Sequence, residues 1–90
     1  MERNDILNAI SEALTVTLDS PVPALKDEMS LTDDFGLESI EVLDFFVEVE
    51  QRIGQSVDLI ELLRTRDSTS NFDKKIRIAD IVHYIEKRVP

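Results

Sequence analysis

A chain of 90 residues builds one small domain around a single hydrophobic core. Hydrophobic residues are 42% and charged residues 32% of the chain, a balance that excludes wholesale disorder, and 10 Lys and Arg against 19 Asp and Glu leave a formal net charge of −9. That charge opposes the phosphates of DNA or RNA and suits basic protein partners, while the absence of cysteine excludes disulfides, thiolate catalysis and cysteine-ligated metals.

The start MERNDILNAI lacks a basic region followed by an apolar core, and no stretch approaches the ~18 apolar residues that a membrane span requires. A soluble, cytoplasmic domain is therefore expected. Two glycines and three prolines force few turns and favour helices over a hairpin-rich design.

In chain order, Asn4 or Asp5 is placed to cap a first helix whose apolar residues Ile6, Leu7, Ile10, Ala13, Leu14 and Leu18 keep helical spacing. The helix has to stop near Leu18, because Asp19-Ser20-Pro21-Val22-Pro23 removes backbone donors and biases residues before each proline towards extended geometry. From Ala24 to Leu37 a long loop carries Leu25, Met29, Leu31, Phe35 and Leu37 without clean periodicity, as expected of a loop pinned to the core by its side chains.

The second helix has the clearest pattern. Val42, Phe45, Phe46, Val49 and Ile53 lie on one face, predicted to be core. Glu41, Asp44, Glu48 and Gln51 fall on the opposite side, with Ile40 and Val47 beside Asp44 and Gln51, so the outer face is acidic with apolar spots. Gly54 accepts the left-handed backbone of a helix terminator, and Val57 is expected to return to the core.

Asp58 is a cap candidate for a short third helix, LIELLR. Residues 64 to 75, RTRDSTSNFDKK, read as an exposed polar loop with Phe72 as an anchor. Ile76, Ile78, Ile81, Val82 and Ile85 then mark a final helix running to Arg88, where Lys87 and Arg88 complement the negative end of the helix dipole. The expected architecture is all-α, a four-helix bundle with a short third helix and a long loop between helices one and two.

Catalysis is poorly supplied by this sequence. His83 is the only histidine, and it stands alone between Val82 and Tyr84 with no cysteine and no metal-ligand spacing, so it reads as a satisfied or solvent-facing side chain. There is no Gly-rich phosphate loop, no HExxH and no GxSxG, and Asp33-Asp34 does not continue into the alternating acids and glycine of an EF-hand loop. Neither an enzyme nor a metal site is expected. Ser39, at the junction of loop and second helix, is by residue type alone a helix cap, a role worth ~1 kcal/mol.

The string around Ser39 adds a second meaning. Residues Ser30 to Gly54, SLTDDFGLESIEVLDFFVEVEQRIG, closely resemble the acyl carrier protein family, whose members carry a loop of the form L…D-(L/F)-G-x-D-S-L running into an acidic second helix. Leu31, Asp34, Phe35, Gly36 and Leu37 lead here to Glu38-Ser39-Ile40, so Ser39 matches the serine to which that family attaches 4′-phosphopantetheine from coenzyme A. The order of first helix, long loop, serine at the start of helix two, short third helix and final helix IADIVHYIEKR extends the resemblance over nearly the whole chain. The sequence departs from the pattern in two places. Glu-Ser-Ile replaces the usual Asp-Ser-Leu, which points to a specialised carrier, and the connection from Ile53 to the last helix is longer than in typical fatty-acid carriers.

The resemblance implies a carrier with no reaction of its own, tethering acyl groups as thioesters for fatty-acid, polyketide or related lipid synthesis. Its expected partners are a phosphopantetheinyl transferase and acyl-loading or acyl-processing enzymes (ligase, acyltransferase or ketosynthase) with basic docking surfaces, and a shuttling carrier works most simply as a monomer. Glu38, Glu41, Asp44 and Glu48 are expected to steer those partners, with Ile40 and Val47 supplying a desolvated contact. Two rivals are a peptidyl or aryl carrier domain of nonribosomal synthesis and an acidic helical interaction module that is never modified.

Overall fold

In the computed structural model residues 2–57 and 76–88 are described, and among them the chain forms three α-helices and no strand: α1 (Arg3–Leu18), α2 (Ser39–Ile53) and α3 (Ile78–Arg88). The all-α class agrees with the sequence pattern. The expected short helix at LIELLR and the Phe72 anchor lie outside the described residues.

α1 begins earlier than its polar residues suggest. Glu2, in extended geometry, is the N-cap in place of Asn4 or Asp5, and its carbonyl accepts the Ile6 N–H at 3.0 Å. Once that bond forms, Asn4 and Asp5 are already inside the first turn. At the other end the helix stops at Leu18 because Asp19 turns left-handed (φ 54°, ψ 39°). The Asp19 N–H bonds to the Val16 carbonyl and the Ser20 N–H to the Thr15 carbonyl, the paired bonds of a Schellman ending, so the chain has left the helix before the prolines are reached.

The core is apolar and drawn from every described element. Ile6, Ile10 and Leu14 of α1 meet Phe45, Phe46 and Val49 of α2 and Ile78, Ile81, Val82 and Ile85 of α3. Phe45 and Phe46 pack edge to face, with ring centroids 5.0 Å apart and planes at 66°, a geometry that adds to their burial. Val57 does return to this core, its N–H donating to Glu50 Oε2 at 2.7 Å. The loop between α1 and α2 is pinned as its pattern predicts: Leu31 and Leu37 are buried, and Leu25, Met29 and Phe35 pack against the core edge.

The final helix starts two residues later than its apolar run, at Ile78. Ile76 belongs instead to a backbone clasp with the long loop, a single antiparallel bridge pairing Ser30 with Arg77. Its carbonyl accepts the Leu31 N–H at 3.0 Å, and the Ile78 N–H donates to the Met29 carbonyl at 2.9 Å. The two apolar side chains Ile76 and Ile78 thus both face the core although only the second is helical. At the far end Arg88 stacks its guanidinium 5.1 Å from the centroid of the buried Tyr84 ring.

Candidate functional site

The site is the junction between the long loop and α2, and its geometry starts at Ser30. Ser30 is 3% exposed, its hydroxyl accepts the Asp33 N–H at 2.8 Å, and its own N–H donates to Asp34 Oδ2 at 2.7 Å. These bonds close the turn over SLTDD. Gly36 then takes a left-handed conformation (φ 66°), which a side chain disfavours, and lets the chain double back so that the Leu37 N–H reaches the Leu31 carbonyl at 3.0 Å. Leu37 is thereby anchored in the core one residue before the N-cap of α2.

The cap itself corrects the sequence reading. Ser39 does not cap α2; Glu38 does, with extended geometry (φ −85°, ψ 169°), and its carbonyl accepts the Val42 N–H at 2.9 Å. Glu38 and Glu41 form a capping box in which Glu41 Oε1 accepts the Glu38 N–H at 2.9 Å. Glutamate has the reach to complete the box, so the serine is not needed for it. Ser39 sits at the first helical position, exposed, and among the described residues its hydroxyl has no hydrogen-bond partner.

Downstream of Ser39, α2 presents an exposed stripe. Ile40 is 67% exposed and Val47 49%, as their position beside Asp44 and Gln51 predicts. Leu43, 55% exposed, completes the stripe at the i, i+3, i+7 spacing and was not assigned from sequence, although the 40/43/47 spacing itself carries the signal. Asp44 and Gln51 flank the stripe in solvent.

The acidic residues divide by what they touch. Among the described residues Asp44 makes no ion pair or hydrogen bond, and Glu38 is exposed. Glu48 is different: its Oε1 accepts from Arg52 Nη1 at 2.6 Å, one turn on, and the same nitrogen reaches the Glu48 carbonyl at 3.2 Å. Arg52 Nε lies 3.5 Å from Glu12 Oε1 of α1, so this guanidinium ties the two helices together and compensates Glu48 inside the domain. His83 is exposed on α3, and no group of His, Cys, Asp and Glu fit to hold a metal ion occurs among the described residues.

The junction thus presents an exposed serine hydroxyl at a helix start, without a hydrogen-bond partner among the described residues and beside an acidic, apolar-striped face. In comparison with known proteins, residues 4–71 match the family described as phosphopantetheine attachment site. The match spans most of the chain, and the chain belongs to that family. It is similar to an acyl carrier protein of Thermotoga maritima (26% identical over 87 residues, 97% of this chain and 95% of that protein) and to one of Exiguobacterium sp. (25% over 89 residues, 99% and 100%). It is thus a member of the acyl carrier protein family, a carrier and not an enzyme, and its cofactor is covalently attached 4′-phosphopantetheine. Among the described residues no helix is long and apolar enough to cross a membrane.

Proposed function

We propose that Ser39 is the attachment residue and that the domain carries acyl intermediates between the enzymes of a fatty-acid, polyketide or related lipid pathway in the cytoplasm, as a monomer. The observation that carries this reading is the exposed Ser39 hydroxyl, without a hydrogen-bond partner among the described residues, at the first position of α2 and inside the family-matched span. In modification, the Ser39 oxygen bonds to the phosphorus that bears the pantetheine arm, the pyrophosphate P–O bond of coenzyme A breaks, and adenosine 3′,5′-bisphosphate leaves. The hydroxyl proton passes to a base of the transferase, because among the described residues none is hydrogen-bonded to the Ser39 hydroxyl. When bound, the arm supplies a thiol that holds acyl groups as thioesters.

The docking surface in this reading is Ile40, Leu43 and Val47 as apolar contact, with Glu38 and Asp44 as the solvent-facing charges; Glu48 contributes from a half-buried position, whereas Glu41 is turned to the Glu38 backbone. Such a surface meets basic partners in fast, salt-sensitive encounters. The −9 net charge and the acidic Glu38-Ser39-Ile40 favour acyl cargo over the aminoacyl or aryl cargo of nonribosomal synthesis.

Intact mass spectrometry after incubation with coenzyme A and a broad-specificity phosphopantetheinyl transferase tests it. One phosphopantetheine gained by the wild type and none by Ser39→Ala is the expected result. No gain by the wild type with several transferases would sink the assignment and leave an acidic interaction module.

A further inference from the structure

We infer that Glu41 is a positioning residue for modification of Ser39, acting through its hydrogen bond to the Glu38 backbone and not through its charge. This rests on the assignment of Ser39 made above. Sequence periodicity places Glu41 on the outer face with Asp44, where a docking role is the natural expectation. The structure turns it elsewhere: Glu41 is half-buried, and its Oε1 accepts the Glu38 N–H at 2.9 Å. Ser39 lies directly between the two capping-box residues' anchor points, one peptide after Glu38.

The bond matters because, beside the reciprocal bond from the Glu41 N–H to the Glu38 side chain and the Val42 N–H on the Glu38 carbonyl, no buried side chain fixes this first helical turn. Leu37 is the last core anchor before the helix, and Val42 is the first residue of α2 buried in the core. Between them Glu38, Ser39 and Ile40 are all exposed, and the Ser39 side chain holds nothing among the described residues. A fraying first turn would let the serine oxygen wander, and misplacing a reacting group by about 1 Å costs on the order of 100-fold in rate. The bond is not an automatic consequence of an acid at the third helical position. Asp5 occupies that position in α1, where no side chain caps the helix. Asp80 occupies it in α3 and does accept the Arg77 N–H, at 3.0 Å, at a helix start remote in sequence from the serine.

Three variants separate hydrogen bond from charge. Glu41→Gln keeps the length and the acceptor oxygen while losing the charge, Glu41→Ala loses both, and Asp80→Ala removes the equivalent bond at α3. The apo chain is modified with coenzyme A by one transferase over a range of carrier concentrations, and the Glu38 amide is followed by hydrogen exchange. Glu41→Ala is expected to lose at least ~10-fold in maximal rate and to expose the Glu38 amide, by the positioning argument. Glu41→Gln is expected to stay within about twofold of wild type in maximal rate and protection, any loss appearing in KM, because Gln completes the same box. Asp80→Ala is expected to lower the melting temperature without changing the maximal rate.

Equal maximal rates for wild type and Glu41→Ala overturn the inference, as does an equal loss in Glu41→Ala and Glu41→Gln. Should Glu41→Ala melt the domain, Glu41→Met carries the test, because it keeps a long helix-forming side chain and removes the acceptor oxygen: a wild-type maximal rate overturns the inference, and a lost rate beside an unimpaired Glu41→Gln supports it. Failure of the wild type itself to gain phosphopantetheine on Ser39 is a distinct result, and it removes the assignment on which this inference rests.

Discussion

The two faces of α2 are built from the same kinds of side chain and do opposite things. On the inner face Phe45, Phe46 and Val49 are buried against α1 and α3; on the outer face Ile40, Leu43 and Val47 stand in solvent. Hydrophobicity alone does not distinguish them. Position does: the inner set faces two other helices, whereas the outer set is flanked by Asp44 and Gln51 and covered by none of the described elements. Three exposed apolar residues repeated along one helix face beside Ser39 form the surface proposed above to meet other proteins.

That contrast is open to direct tests. The largest expected effect is Phe45→Ala, a cavity in the centre of the core that costs about 3–5 kcal/mol. A small domain has only ~5–15 kcal/mol to lose, so urea unfolding should show a midpoint far below wild type, and an unchanged midpoint would mean that the inner face is not the core. Next is Arg52→Ala, which removes the tie between α2 and α1. Its partners are partly solvated, so the loss should be about 1 kcal/mol, read from the same unfolding curves. Smallest are Ile40→Ser, Leu43→Ser and Val47→Ser on the outer face, each expected to change stability by less than ~0.5 kcal/mol. The same three changes should weaken transferase engagement, seen as a raised KM for the carrier. A large loss of stability from any of them would place that residue in the core and dissolve the contrast. A further expectation concerns charge: with −9 over a small domain, salt should raise the melting temperature by screening self-repulsion and at the same time slow modification by screening the partner, two opposite trends from one cause.

Most of this was legible in the sequence where a periodic signal met a strong physical constraint. The inner face of α2 followed from spacing alone, and Gly54 (φ 70°) ends that helix as a glycine there should. Val57 and the pinned loop residues Leu31 and Leu37 followed from isolated apolar side chains in polar surroundings. Helix starts were less legible. Residue type assigns caps to Asn4, Asp5 and Ser39, yet Glu2 and Glu38 take those places, because the cap is decided by which residue turns extended, and that depends on where the preceding chain is anchored. For α2 the anchor is Leu37, held through Leu31 by a contact from the far end of the chain, and no local pattern contains it. The same blindness hid Leu43 and the engagement of Glu41 and Glu48: spacing says which face a residue occupies, not whether a side chain on that face reaches outward or back to its own backbone. The apolar run from Ile76 likewise concealed a bridge, since Ile76 and Ile78 alternate as a strand would before the helical spacing begins.

The clasp between the long loop and the start of α3 bears on how readily this domain could be re-engineered. Residues 58 to 75 are bracketed by two fixed points, the Val57 N–H on Glu50 Oε2 and the Ile76 carbonyl on the Leu31 N–H. Redesign of the chain has to leave both points intact, because the Ile76 carbonyl on the Leu31 N–H, followed by the Leu31 carbonyl on the Leu37 N–H, makes the start of α2 answer to a contact laid down late in the chain.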